Sequence, residues 1–137
     1  MKINISFSEL REYIKAHYSK ELTFTKVSEQ EVCVSYTQNL FFHSVNIPLN
    51  IKIHDVKADN VSVIYDGRFG IDMIIAGVLS FLRAKVPQIN DALISEDGHR
   101  IRIEFAKLPT TAQLVEAISF QRIIVVDDGL EITASLK

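Results

Sequence analysis

The chain has 137 residues, 47% of them hydrophobic and 23% charged, with a formal net charge of −2; this is the composition of one globular domain and excludes a disordered chain. The near-neutral charge speaks against a nucleic-acid surface. One cysteine, Cys33, excludes an internal disulfide, and the lack of tryptophan weighs against a surface built on aromatic stacking.

The first segment, MKINISFSELREY, lacks the long apolar run of a signal peptide. A cytoplasmic protein is expected, with an exported one that has lost its leader as the alternative. Ile3 and Ile5 form a short apolar lead that suits a strand stub. Ser6 and Glu9 match the S-x-x-E capping box, in which each side chain satisfies the other's backbone donor. Phe7, Leu10, Ile14 and Tyr18 then recur at helical spacing, which predicts a helix over Ser6 to Tyr18.

From Glu21 the period changes to two. Leu22 and Phe24 alternate with threonines, and Val32, Val34 and Tyr36 alternate with Cys33, Ser35 and Thr37. The polar Ser28-Glu29-Gln30 between them predicts an antiparallel hairpin. The clearest strand follows. Val45, Ile47, Leu49, Ile51 and Ile53 share one face, and Ser44, Asn46, Pro48, Asn50, Lys52 and His54 share the other. Pro48 has no N–H to give a ladder, so this strand is expected at a sheet edge or bulged at the proline. Val61, Val63 and Tyr65 make the dry face of the next strand.

Asp66-Gly67-Arg68-Phe69-Gly70 is expected to break that strand and launch a helix from Gly70 to Val86. Ile71, Met73, Ile74, Ile75, Val78, Leu79, Phe81, Leu82 and Val86 cover most of its wheel. Asp72, Ser80, Arg83 and Ala76 leave a narrow polar stripe. Such a helix must be wrapped by other elements, although it is too short and too charged at its end to span a bilayer. Pro87 is expected to end it.

Ala92 to Ser95 and Arg100 to Phe105 flank Asp97-Gly98, the signal of a two-residue hairpin turn. A short helix over Thr111 to Ser119 should bury Leu114, Val115 and Ile118. The chain closes with a hairpin, Arg122 to Val126 and Leu130 to Leu136, around Asp127-Asp128-Gly129. The expected fold class is α+β: a strongly curved antiparallel sheet of about six to eight strands, wrapped around the long apolar helix, with two smaller helices and one domain spanning residues 1–137.

No catalytic constellation emerges. His17, His43, His54 and His99 have no metal-ligand spacing, so no metal is expected. Cys33 has no assignable base or cation to activate it. Asp127, Asp128, Asp55 and Asp59 belong to turns and loops. Gly67-Arg68-Phe69-Gly70 precedes a helix but lacks phosphate-loop spacing. Arg100 and Arg102 share a strand face with Glu96 and Glu104 nearby, which reads as a solvated surface rather than a phosphate track. Neither a cofactor nor an enzymatic activity is indicated.

The order of elements resembles the small bacterial relatives of the tubular lipid-binding superfamily, the YceB-like lipoproteins. The likeness rests on the capped opening Ser6-Phe7-Ser8-Glu9-Leu10, the long strands Val45 to Ile53 and Val61 to Tyr65, the apolar helix Ile71 to Val86, and the closing turn Val125-Val126-Asp127-Asp128-Gly129-Leu130-Glu131-Ile132. The chain departs from that family in lacking a signal sequence and a lipidation cysteine at its N-terminus. The resemblance implies a curved sheet around a long helix, with an apolar groove for acyl chains. The leading expectation is therefore non-enzymatic binding of a lipid or another apolar or amphipathic ligand. Ile74, Val78, Leu79 and Phe81 of the helix and Ile47, Leu49 and Ile51 of the strand would line the groove. The alternative is a structural or interaction module whose apolar strand face is buried against a second copy, giving a homodimer. Neither a nucleic-acid partner nor a transmembrane segment is expected.

Overall fold

Alternating segments with one dry face bury it by pairing and packing, and this chain does so in two separate sheets. The computed structural model describes residues 1–40, 43–67, 76, 80, 84 and 89–137. The smaller sheet is antiparallel, in the order β1 (Lys2–Ser6), β9 (Gly129–Leu136), β8 (Ile118–Val126). The larger is antiparallel too, in the order β2 (Leu22–Ser28), β3 (Glu31–Leu40), β4 (His43–Val56), β5 (Asn60–Gly67), β7 (Arg100–Glu104), β6 (Leu93–Glu96). The helices are α1 (Phe7–Tyr18), α2 (Ile89–Ala92) and α3 (Pro109–Ala117), with a 3-10 turn at Phe105–Lys107.

This arrangement corrects the expected sleeve around Gly70–Val86. Among the described residues no long apolar helix stands at the centre of a sheet, and most of the chain is strand. The dry strand faces divide between two sheets instead of closing round one rod. Within Gly70–Val86 the structure describes Ala76, Ser80 and Ala84, all helical and exposed. The remainder of that stretch, the expected turn from Arg68 and the stop at Pro87 lie outside the described residues.

α1 follows its sequence closely. The Glu9 N–H donates to Ser6 Oγ at 3.0 Å, and Glu9 Oε1 accepts from the Ser6 N–H at 3.4 Å, which completes the capping box. Ser19 closes the helix in the left-handed region, at φ 55°, with its N–H donating to the Lys15 carbonyl. Phe7 is buried and stacks on Phe24 of β2 with ring centroids 5.6 Å apart, so α1 lies against the outer strand of the larger sheet.

β4 differs from expectation in position. It runs between β3 and β5 and is not an edge strand. Pro48 pairs with Ser35, while the pairing of β4 with β5 starts one residue later, at Leu49 with Gly67. The Ile53 N–H donates across to the Gln30 carbonyl, so odd-numbered residues here turn their peptide groups toward β3. The Pro48 nitrogen therefore turns away from β3, and among the described residues no β5 partner stands opposite it. The bulge of β4 falls at His54, between the pairs Ile53–Val63 and Asp55–Ser62.

Two turns also differ. β6 and β7 are joined by the three residues Asp97, Gly98 and His99, with Gly98 at φ 77° and His99 at φ 58°. A histidine accepts the left-handed region there while its ring stacks on Tyr65, centroids 5.0 Å apart. Asp127 and Asp128 form a two-residue turn between β8 and β9, and neither has positive φ. Helix α3 starts at Pro109 and ends at Ala117, earlier than the spacing predicts, because Ile118 already begins β8. Val115 and Ile118 are buried as expected, whereas Leu114 is 45% exposed.

The buried apolar side chains among the described residues are Phe7, Val61, Ala92, Val115, Ile118, Val125 and Ala134. Four of the seven lie on α3, β8 and β9. The outer edge of β8 meets the turns of the larger sheet. The Val125 N–H donates to the Glu29 carbonyl at 2.7 Å and the Phe120 N–H to the Ala58 carbonyl at 2.9 Å. Lys26 Nζ lies 3.5 Å from Asp127 Oδ1 across the same junction. An edge strand left open is a template for unwanted pairing; here two hairpin turns cap it.

Candidate functional site

Two surfaces come out of this arrangement. The first is the dry face of the larger sheet. Cross-strand register places Phe24 opposite Val34, Val34 opposite Leu49, Val32 opposite Ile51, Tyr36 opposite Ile47, Ile51 opposite Tyr65, and Val63 opposite Ile101. Directly opposed residues share a face, so this apolar surface is continuous across five strands. Its described side chains from Leu22 to Tyr65 are half-buried apart from Val61, which is buried. Ile47, Leu49 and Ile51 sit at its centre on β4. Their expected companions Ile74, Val78, Leu79 and Phe81 lie outside the described residues.

The reverse face of that sheet is polar. Cys33 lies there, half-buried, between Thr25 and Asn50. At its far end Arg102 Nε donates to Glu104 Oε1 at 2.8 Å, and Arg102 Nη1 donates to Glu96 Oε1 at 3.3 Å. Two carboxylates neutralise this arginine, as the sequence pattern of mixed charge implies.

The second surface is a cleft of about 300 Å³ between the sheets, open to solvent. β3 starts at Glu31, so β4 runs past it, and residues 54–56 of β4 face β8 across a gap. The bulged residue Gln121 of β8, between the pairs Phe120–Ala134 and Arg122–Thr133, stands on the opposite wall from the bulge at His54. The Glu29-Gln30 turn closes one end. Asp55 and Arg122 add one charge of each sign to the walls.

Backbone direction matters in this cleft. In an antiparallel ladder, residues two apart turn their peptide groups to the same side. Val125 donates outward to Glu29, so Ile123 also faces outward, away from β9. The Lys57 N–H donates to Asn60 across the β4–β5 hairpin, so Val56, the residue before it, faces away from β5. Both Val56 and Ile123 line the cleft, and no ladder joins β4 to β8. Sequence patterning did not indicate this site. Its residues come from one turn and two bulged strand segments, and neither the turn nor the bulges have a periodic signature.

The histidines that the structure places do not converge. His17 stacks on Tyr13 of α1 with centroids 4.1 Å apart, His54 is at the cleft, and His99 is in the β6–β7 turn. Among the described residues no three His, Cys, Asp or Glu side chains are grouped to hold a metal ion, and no helix is long and apolar enough to cross a membrane. No family model, curated protein or solved structure matches the chain.

Proposed function

We propose that the protein is a non-enzymatic binding module that holds an apolar or amphipathic ligand, in the first place a lipid, on the dry face of its six-stranded sheet. One observation carries this reading: the face around Ile47, Leu49 and Ile51 is apolar across five strands, yet its side chains are half-buried. Covering apolar area contributes about 25 cal/mol per Å². A ligand laid along this face therefore gains from surface that folding alone leaves part-wet. Large apolar patches of this kind on a single chain mark sites of interaction.

Self-association through the same face is the second reading. It is favoured by the breadth of the surface, which suits a flat partner as well as an acyl chain. Native mass spectrometry of protein purified without detergent separates the two. The lipid reading expects a monomer carrying adducts of lipid mass, lost in Ile51→Lys. A bare dimer that Ile51→Lys dissociates supports self-association. A bare monomer in both proteins overturns both readings.

A further inference from the structure

We propose that the outer edge of β1 is a self-association site, where a second copy of this chain adds its own β1 antiparallel and joins the two smaller sheets into one. This surface belongs to the smaller sheet, away from the apolar face of the larger one, and goes beyond the reading given above.

Met1 and Ala134 exchange both hydrogen bonds. The Met1 amine donates to the Ala134 carbonyl at 2.6 Å, and the Ala134 N–H donates to the Met1 carbonyl at 2.9 Å. Residues two apart repeat that arrangement, so Ile3 and Ile5 also face β9, and the Phe7 N–H ends the series on Asp128. Lys2 and Asn4 therefore turn their peptide groups away from β9. Both residues are exposed, and among the described residues β1 has no strand on that side. The opposite edge of the same sheet is capped at β8 by turns, and α1 leaves β1 to stack Phe7 on Phe24 of the larger sheet. An open edge of this kind is a template for another strand.

The side chains select a second copy as that strand. About Ile3, the run Met1-Lys2-Ile3-Asn4-Ile5 has the same polarity in both directions. An antiparallel copy centred on Ile3 sets Lys2 opposite Asn4 in hydrogen-bonded pairs. Between them Ile3 stands opposite Ile3 in the closer, non-hydrogen-bonded pair. On the apolar side this extends existing rows. Ile123, Ile132 and Ile3 stand opposite one another across β8, β9 and β1, as do Val125, Leu130 and Ile5. The second copy continues the first row with Ile3 and the second with Met1, which is 54% exposed in the single chain. On the polar side Lys2, whose ammonium lies 3.5 Å from Glu131, meets an asparagine. Neighbouring registers fail. Centring on Lys2 opposes two like charges, and centring on Asn4 needs the Ser6 N–H, which already donates to Glu9.

The edge is short, and what it buries falls below the roughly 1,000 Å² of a complex that survives dilution. The pair therefore forms at NMR concentrations and separates at those of mass spectrometry. The test is a dilution series of the untagged, isotopically labelled full chain, from about 1 mM to about 10 µM, followed by amide shifts. The proposal expects concentration-dependent shifts at Lys2 and Asn4. In an equal mixture of labelled and unlabelled chains it expects cross-peaks between the Ile3 methyls of the two copies, and between Met1 and Ile5. Asn4→Pro removes an N–H that pairing with β9 does not use. It should weaken association at least about tenfold, since each copy loses a bond. Ile51→Lys, on the other sheet, should leave association unchanged. Absence of concentration dependence at Lys2 and Asn4 overturns the proposal, and so does an unchanged affinity in a folded Asn4→Pro. Dissociation by Ile51→Lys, or cross-peaks between larger-sheet isoleucines in place of Ile3, overturns it as well. Should Asn4→Pro fail to fold, the Ile3 cross-peaks of the unaltered chain still decide. Lipid adducts on the apolar face are read separately by mass, so either proposal can fail without the other.

Discussion

Gly129 shows how one atom decides a junction. It pairs with Ser6 where β1 turns into α1, and the Phe7 N–H beside it donates to the Asp128 carbonyl at 2.7 Å. A Cβ at Gly129 would overlap the Ile5 carbonyl oxygen and come within 2.8 Å of Ser6 Cα. Both obstacles are backbone, so neither can swing aside. Gly98 has the opposite problem: its φ is 77°, but nothing lies within 4 Å of a new Cβ. Alanine at Gly98 meets the cost of the left-handed region alone, about 1–2 kcal/mol. Alanine at Gly129 must push β1 off β9, an overpacking cost of about 1–3 kcal/mol, with loss of the α1 anchor added. Urea unfolding of the two variants should therefore show Gly129→Ala as the less stable. The order would reverse if room at Gly129 were available. A turn glycine is usually read as a source of positive φ; here the glycine after Asp127-Asp128 serves close approach instead.

At the scale of the elements, β8 links the two sheets. On one side it pairs with β9, and on the other its edge is closed at Phe120 and Val125 by turns of the larger sheet. Between those two points the edge faces the cleft. Hydrogen exchange should reflect this alternation, because protection follows hydrogen bonding and burial. The Val125 amide, in a residue 0% exposed, should exchange slowly, and the Ile123 amide faster. Equal protection at both would mean that β8 and β4 are laddered throughout and the cleft is closed. The individual strands were legible in the sequence, since a strand with one dry face alternates strictly, as Val45 to Ile53 does. The capping box at Ser6 and Glu9 was legible for a similar local reason. The division into two sheets was not. It rests on β1 joining β9 across almost the whole chain and on the Glu29 and Ala58 carbonyls meeting β8, and neither leaves a local pattern. The bulges at His54 and Gln121 were hidden in the same way, and with them the cleft. Pro48 misled because its effect depends on which neighbour its nitrogen faces.

At the scale of the whole molecule, the sheets meet at the turns rather than face to face. That geometry buries Val125, Ile118 and Ala134 near the junction and leaves the broad dry face of the larger sheet half-buried. The candidate residues Ile47, Leu49 and Ile51 were legible because period-two alternation alone places them together. What would cover them was not legible, since the expected sleeve required a topology the strands do not adopt. The functional account therefore depends on that face being the working surface. Isoleucine methyl groups report on it directly: Ile47, Ile51 and Ile53 belong to the larger sheet, whereas Ile3 and Ile132 pair with each other in the smaller one. The decisive measurement is a methyl NMR titration with a lysophospholipid below its micelle concentration. The account predicts that Ile47, Ile51 and Ile53 shift together and saturate while Ile3 and Ile132 stay in place. Shifts spread evenly over both sheets, or none on the larger one, would contradict it.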